Sequence, residues 1–159
     1  MRAAVLARRL EKCMARALGF DALNDGMTEE QPSDRVIDQR IRNRIMEALA
    51  TLADGNEGVR AVEPSEYFES FYDWVPHRGM QRPNGAVSAE EQSGLSDVSK
   101  ILDLACDSTP QLMTADEFIA TGWPARIQPV AQQVLGLMLG RGRFSEDEEE
   151  QEPSSRLEG

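Results

Sequence analysis

Glu66, Glu69 and Asp73 stand at steps of three and four in the stretch PSEYFESFYDWV. On a helix that spacing lines the three carboxylates along one strip. Such a strip could hold a divalent cation or relay protons if a second acidic helix faced it, as in the Glu-x-x-His pairs of helical metal sites. No motif of that kind occurs. The single histidine, His77, sits in a stretch broken by Pro76, Gly79 and Pro83, with no HExxH around it. Ser93-Gly94 lacks the first half of a GxSxG nucleophile turn, and no GxxxxGK[ST] or GxGxxG offers a phosphate cradle. Cys13 and Cys106 lie outside any CxxC or Cys/His spacing and fall on apolar stripes, which reads as buried, reduced core. No catalytic residue, metal ligand or cofactor is assigned on these patterns.

The same stretch is rich in rings. Tyr67, Phe68, Phe71, Tyr72 and Trp74 make up five of the chain's nine aromatics. One face of a short helix cannot bury all five. Tyr and Trp beside carboxylates are favoured where a ring is buried against a partner and its polar tip is paired. Glu66, Glu69, Tyr72, Asp73 and Trp74 are therefore the candidate partner-contact set.

Charge points to the kind of partner. The formal net charge is −11. It is uneven: residues 1–20 carry +4, and residues 145–159 carry −6. An acidic body disfavours nucleic acid, whose phosphates require clustered Lys and Arg, and fits a basic protein. Gly140-Arg-Gly-Arg143 is followed, after Phe144 and Ser145, by a run of acids, so its arginines read as cations near helix C-terminal carbonyls. The leading expectation is a noncatalytic, acidic, protein-binding module that neutralises or escorts a basic protein. Two alternatives stand beside it. One is an enzyme whose carboxylates (Glu66, Glu69, Asp73, Asp97, Asp103) converge only in the fold. The other is an accessory protein that buries its surplus aromatics in a homodimer.

The elements that must position these residues are helical. Ser33–Gly55 carries Val36, Ile37, Ile41, Ile45, Met46, Leu49 and Leu52 at helical steps, with Arg35, Asp38, Arg42 and Glu47 pointing elsewhere. Ser33 caps it, Asp34 suits its N-terminal dipole and Gly55 its end. Residues 56–63 read as a loop, and Pro64 as the first residue of a helix over 64–75. Residues 76–87 read as a loop, because neither flank of Asn84-Gly85 alternates as a strand would. Ser88 with Glu91 and Thr114 with Glu117 are capping boxes that open two further helices. Gly94 weakens the first of these. A last helix begins at Pro124, with Pro129 marking either a kink or its true start.

The fold expected is all-α: one bundle-like domain of about five main helices within 27–144. Residues 1–26, with a basic amphipathic helix over 3–18, form a separable extension that fits a membrane surface or a docked terminal helix. From Ser145 the run SEDEEEQEPSSRLEG repels itself and is expected to be disordered. No apolar run reaches membrane-spanning length and no secretory signal pattern opens the chain, so the expected compartment is the cytoplasm.

Overall fold

The helix expected from Ser33 runs over Asp34–Ala53 (α1) in the computed structural model, which describes residues 30–75 and 83–154. Ser33 Oγ accepts the Val36 N–H at 3.3 Å. Four more helices follow: α2 (Asn56–Tyr72), α3 (Ala89–Ser108), α4 (Ala115–Ala120) and α5 (Trp123–Arg141). Among the described residues the architecture is all-helical, and no helix is long and apolar enough to cross a membrane. The extension 1–26, Cys13, His77 and residues 155–159 lie outside the described residues.

α1 is the post around which the rest is built. Eleven of its 20 residues are buried, and they point in nearly every direction. It packs on α5 and α2, while α3 packs on α5 and α4 bridges α2 and α5. Leu49, Leu52, Tyr67, Phe71, Phe118 and Ile127 meet in the core with no exposure to solvent. Hiding α1 from water on one stripe only, with Arg42 on the solvent side, was the sequence expectation. Instead, Arg42 and Gln39 are 0% exposed. They are covered because the chain after α5 folds back over the polar side of α1.

α2 begins earlier than its sequence pattern indicates. Residues 56–62, expected as a loop, are helical, and the helix kinks at Glu63 before Pro64. Pro64 still starts a helical piece, because it has no N–H to place and its ring excludes continuation from the preceding turn. The kink holds Glu63 at φ 67°, ψ 156°, a region that costs a non-glycine residue about 1–3 kcal/mol. Both capping boxes are present, at Ser88–Glu91 and Thr114–Glu117. α3 does not break at Gly94. A Cβ there would meet Val134 Cγ2 at 2.8 Å, so the glycine lets α3 and α5 approach. α5 is continuous through Pro129. The C-terminal carbonyl of α1, Ala53 O, accepts from Gln128 Nε2 (3.1 Å) and Gln132 Nε2 (3.2 Å) of α5.

The acidic tail is the largest departure from the sequence reading. Residues 145–154 are not a free chain but a strap laid along α1. Self-repulsion loses here because α1 offers arginine and amide donors along the whole contact, described below.

One core group is left without a partner. The Tyr67 hydroxyl is buried among Phe68 and Phe118 rings and makes no hydrogen bond among the described residues. Burial also pushes its phenol above the ordinary tyrosine range. An unpartnered buried hydroxyl forfeits its hydration with nothing in return, a cost of about 1–3 kcal/mol. Tyr67→Phe keeps the ring and removes the hydroxyl. It is expected to raise stability by about 1 kcal/mol in denaturant unfolding; a loss of that size would mean that the hydroxyl is satisfied.

Candidate functional site

The five candidate residues lie at the C-terminal half of α2 and just beyond it. Glu66 and Asp73 are exposed, while Glu69, Tyr72 and Trp74 are half-buried. Asp73 caps the helix through its backbone, donating to Glu69 O at 2.8 Å. Trp74 and Tyr72 pack against the core, so each ring presents only part of itself. The Tyr72 hydroxyl donates to Asp103 Oδ1 at 2.7 Å, which ties the end of α2 to α3. Burial, then the neighbouring Cys106 thiol and the Asp103 carboxylate, hold the Tyr72 phenol far above its ordinary range, so it stays protonated and donating. Cys106 itself is half-buried rather than fully in the core.

The carboxylates proposed for an assembled enzyme site do not all meet. Asp103 is joined to Tyr72, but Asp97 pairs with Lys100 at 3.6 Å on the exposed side of α3. Among the described residues, no three His, Cys, Asp or Glu side chains are grouped to hold a metal ion.

A second polar region, missed in the sequence, is far more organised. It starts with Arg42. Its Nε and Nη2 bond both Glu91 oxygens (3.2 and 2.7 Å). Its Nη1 donates to Gly142 O (2.8 Å) and lies 3.4 Å from Met46 Sδ, and Nη2 also reaches Met138 O (3.1 Å). Arg42, not Arg141, therefore donates to two carbonyls at the C-terminal end of α5, those of Met138 and Gly142. Glu91 also accepts the Ser88 N–H at 2.9 Å and Arg141 Nη1 at 2.8 Å. Burial pushes the Glu91 carboxyl up, but the Arg42 and Ser88 hydrogen bonds, the Arg42 charge and Arg141 outweigh it, and the group sits below its usual range. Burial pushes Arg141 down, but Glu91 and then Glu152, which accepts from Arg141 Nη2 at 3.3 Å, outweigh it and hold the group above the ordinary guanidinium range. A buried pair this completely bonded is a structural clasp joining α1, α3 and α5.

Phe144 covers the clasp. Its ring is 3% exposed and lies beneath three guanidinium groups, those of Arg35, Arg42 and Arg141, at 5.1, 5.2 and 5.7 Å from its centroid. Beyond it the strap runs antiparallel to the residue order of α1. Asn43 Nδ2 takes Phe144 O (2.9 Å), Gln39 Nε2 takes Ser145 O (2.7 Å) and Glu148 O (2.8 Å), and Arg40 Nε takes Glu146 O (2.6 Å). Arg35 takes Glu150 O (2.9 Å) and Gln151 O (3.2 Å). Most of these bonds go to the main chain. Three of the strap's carboxylates face outward: Asp147, Glu148 and Glu149 are exposed, Asp147 at 91% of its side chain with Oδ1 3.9 Å from Arg40 Nη2.

The fold and this region define a class, an all-α unit whose acidic C-terminal segment is fastened across an arginine-bearing helix. No protein family, characterised protein or solved structure matches the chain.

Proposed function

We propose that this is a noncatalytic acidic helical module that binds a basic protein partner. The observation that supports it is the strap: a backbone pinned to α1 by side-chain donors, holding Asp147, Glu148 and Glu149 in water on a fixed ridge. Fixing the backbone that carries these side chains before encounter lowers the entropy lost on binding, and their charge steers a basic surface toward them. Glu66 and Asp73, with the exposed parts of Tyr72 and Trp74, form a second acidic contact region in the same reading.

The test is capture of a stoichiometric partner from the native host's lysate at low and high salt, with the D147K/E148K/E149K variant in parallel. The expected result is a basic protein retained at low salt, released at high salt and lost by the variant. A partner held equally by both proteins, or none at low salt, would overturn the reading. Self-association is the second reading, favoured by Leu112 and Leu104, which are 93% and 57% exposed. Light scattering separates it: a concentration-dependent dimer that Leu112→Ser abolishes would support it, and a monomer at all concentrations would dismiss it.

A further inference from the structure

The strap is held in an unusual way for a terminal segment. Only one of its side chains, Phe144, is buried, and most of the other hydrogen bonds go to its main chain, with Glu146, Asp147 and Glu152 adding carboxylate pairs to Arg44, Arg40 and Arg141. Two amides of α1 each use both their donor and their acceptor side on the strap's main chain. Asn43 donates to Phe144 O and accepts the Phe144 N–H (2.9 and 3.3 Å). Gln39 uses both its amide hydrogens on strap carbonyls and accepts the Glu150 N–H at 2.8 Å. Main-chain bonds of this kind bind extended peptides with little regard to sequence, and specificity comes from the few side chains that enter pockets. Here those are the ring at 144, stacked under arginine, and the carboxylate at 146, which accepts from Asn43 Nδ2 and Arg44 Nη2, both at 3.2 Å.

The charge of the two surfaces is complementary. Arg35, Arg40, Arg44 and Arg141 line this face, in a protein of net charge −11. A phosphate backbone would use the arginines but leave the Asn43 and Gln39 acceptors facing anionic oxygens. A peptide main chain, with N–H and C=O groups both on offer, uses both halves of each amide.

We infer that the polar face of α1 is a binding surface for an acidic peptide that carries an aromatic residue two positions before an acid and bends just after it, and that residues 143–154 occupy it in cis as a built-in competitor. This inference does not depend on the outward carboxylates having a basic partner. The tether keeps the strap at a high local concentration. An outside peptide sees only the fraction of molecules whose strap is off, and its apparent affinity falls by that fraction.

The experiment uses the full chain and a labelled synthetic peptide of sequence RFSEDEEEQEPS, read by fluorescence anisotropy. E146K/E150P weakens the cis strap without touching α1, because it reverses the charge facing Arg44 and deletes the Glu150 N–H. The expected result is peptide binding at least about tenfold tighter to this variant than to the wild type, the factor set by a strap docked nine-tenths of the time or more. Adding R35E/R40E should abolish it. Equal affinity for variant and wild type, or binding that survives R35E/R40E, overturns the inference. So does tighter binding of a single-stranded oligonucleotide than of the peptide by the variant. Hydrogen exchange on the wild type gives a readout that needs no substitution: the Phe144 and Glu150 amides should be protected in the free protein and exchange faster with excess peptide. Unchanged protection with the peptide in excess would count against the face accepting a peptide in trans.

Discussion

Replacing Glu91 with alanine is expected to destabilise the protein by about 3–5 kcal/mol, the cost of removing one partner of a buried ion pair. The reason lies in what is left behind. Arg42 keeps its charge at 0% exposure and loses both bonds to the carboxylate. Arg141 loses its inner partner, and the Ser88 N–H loses the return half of the capping box, itself worth about 1 kcal/mol. Against a typical stability of about 5–15 kcal/mol this is a large share. Denaturant unfolding measures it. Pairing the variant with Arg42→Met should recover part of the loss, because the orphaned charge goes too. Recovery will be incomplete, since Met138 O and Gly142 O then lack the donor that Arg42 supplied. Additive losses in the double variant would show that the two side chains act independently.

The same pair predicts a pH dependence. The folded Glu91 carboxyl lies below the 4.5 of an unperturbed glutamate. A group lowered on folding contributes stability that is fully present above its unfolded value and is lost as pH falls through its folded value. The Glu91 contribution should therefore be constant above about pH 5, fall most steeply between the unfolded value of 4.5 and the lower folded value, and level off below the folded value. Glu91→Gln removes the titrating group. Its unfolding free energy, measured at the same pH values, should lose that part of the acid decline while starting from a lower plateau at neutral pH. An unchanged acid slope would assign the decline to other carboxylates.

How far the sequence could be read is clear from individual residues. Ser33, Ser88 and Thr114 are local signals: each cap depends on a residue three positions away, and all three are present. The apolar stripe of α1 was likewise legible. Arg42 was not, because what buries it comes from Gly142, Met138 and Glu91, 49 to 100 residues distant. A stripe analysis treats any arginine as outward. The strap failed for a related reason. The run 146–152 was weighed by its own repulsion, yet Arg35, Arg40, Arg42 and Arg44 stand at short spacing in one helix and supply matching donors. Weighing an acid-rich segment against the basic helix it could reach was the signal available. For the Tyr72 set, the helical spacing placed its residues together, but the spacing carried no information that Asp103 of α3 would take the hydroxyl.

Glycines offer the sharpest test of the close packing that all this positioning requires, because one substitution should have opposite signs at two helical sites. At Gly58, in the first turns of α2, an added Cβ would fall on the Thr51 carbonyl oxygen at the end of α1. That obstacle is backbone, held within a helix, and cannot rotate aside as a side chain would. The turn between the helices cannot relax either, since Gly55 is already at φ 58° and packed against Gln128. Gly58→Ala is expected to cost about 3 kcal/mol, at the upper end for overpacking. At Gly136, in α5, a Cβ meets nothing within 4 Å. There only the backbone entropy of the unfolded chain changes, and Gly136→Ala should stabilise by up to about 1 kcal/mol. Thermal and denaturant unfolding of the two variants side by side measures both. A Gly58→Ala variant as stable as the wild type, or one stabilised like Gly136→Ala, would mean that α1 and α2 do not approach at Thr51 and Gly58, and with that contact would go the angle that sets α2 and its acidic strip against the central helix.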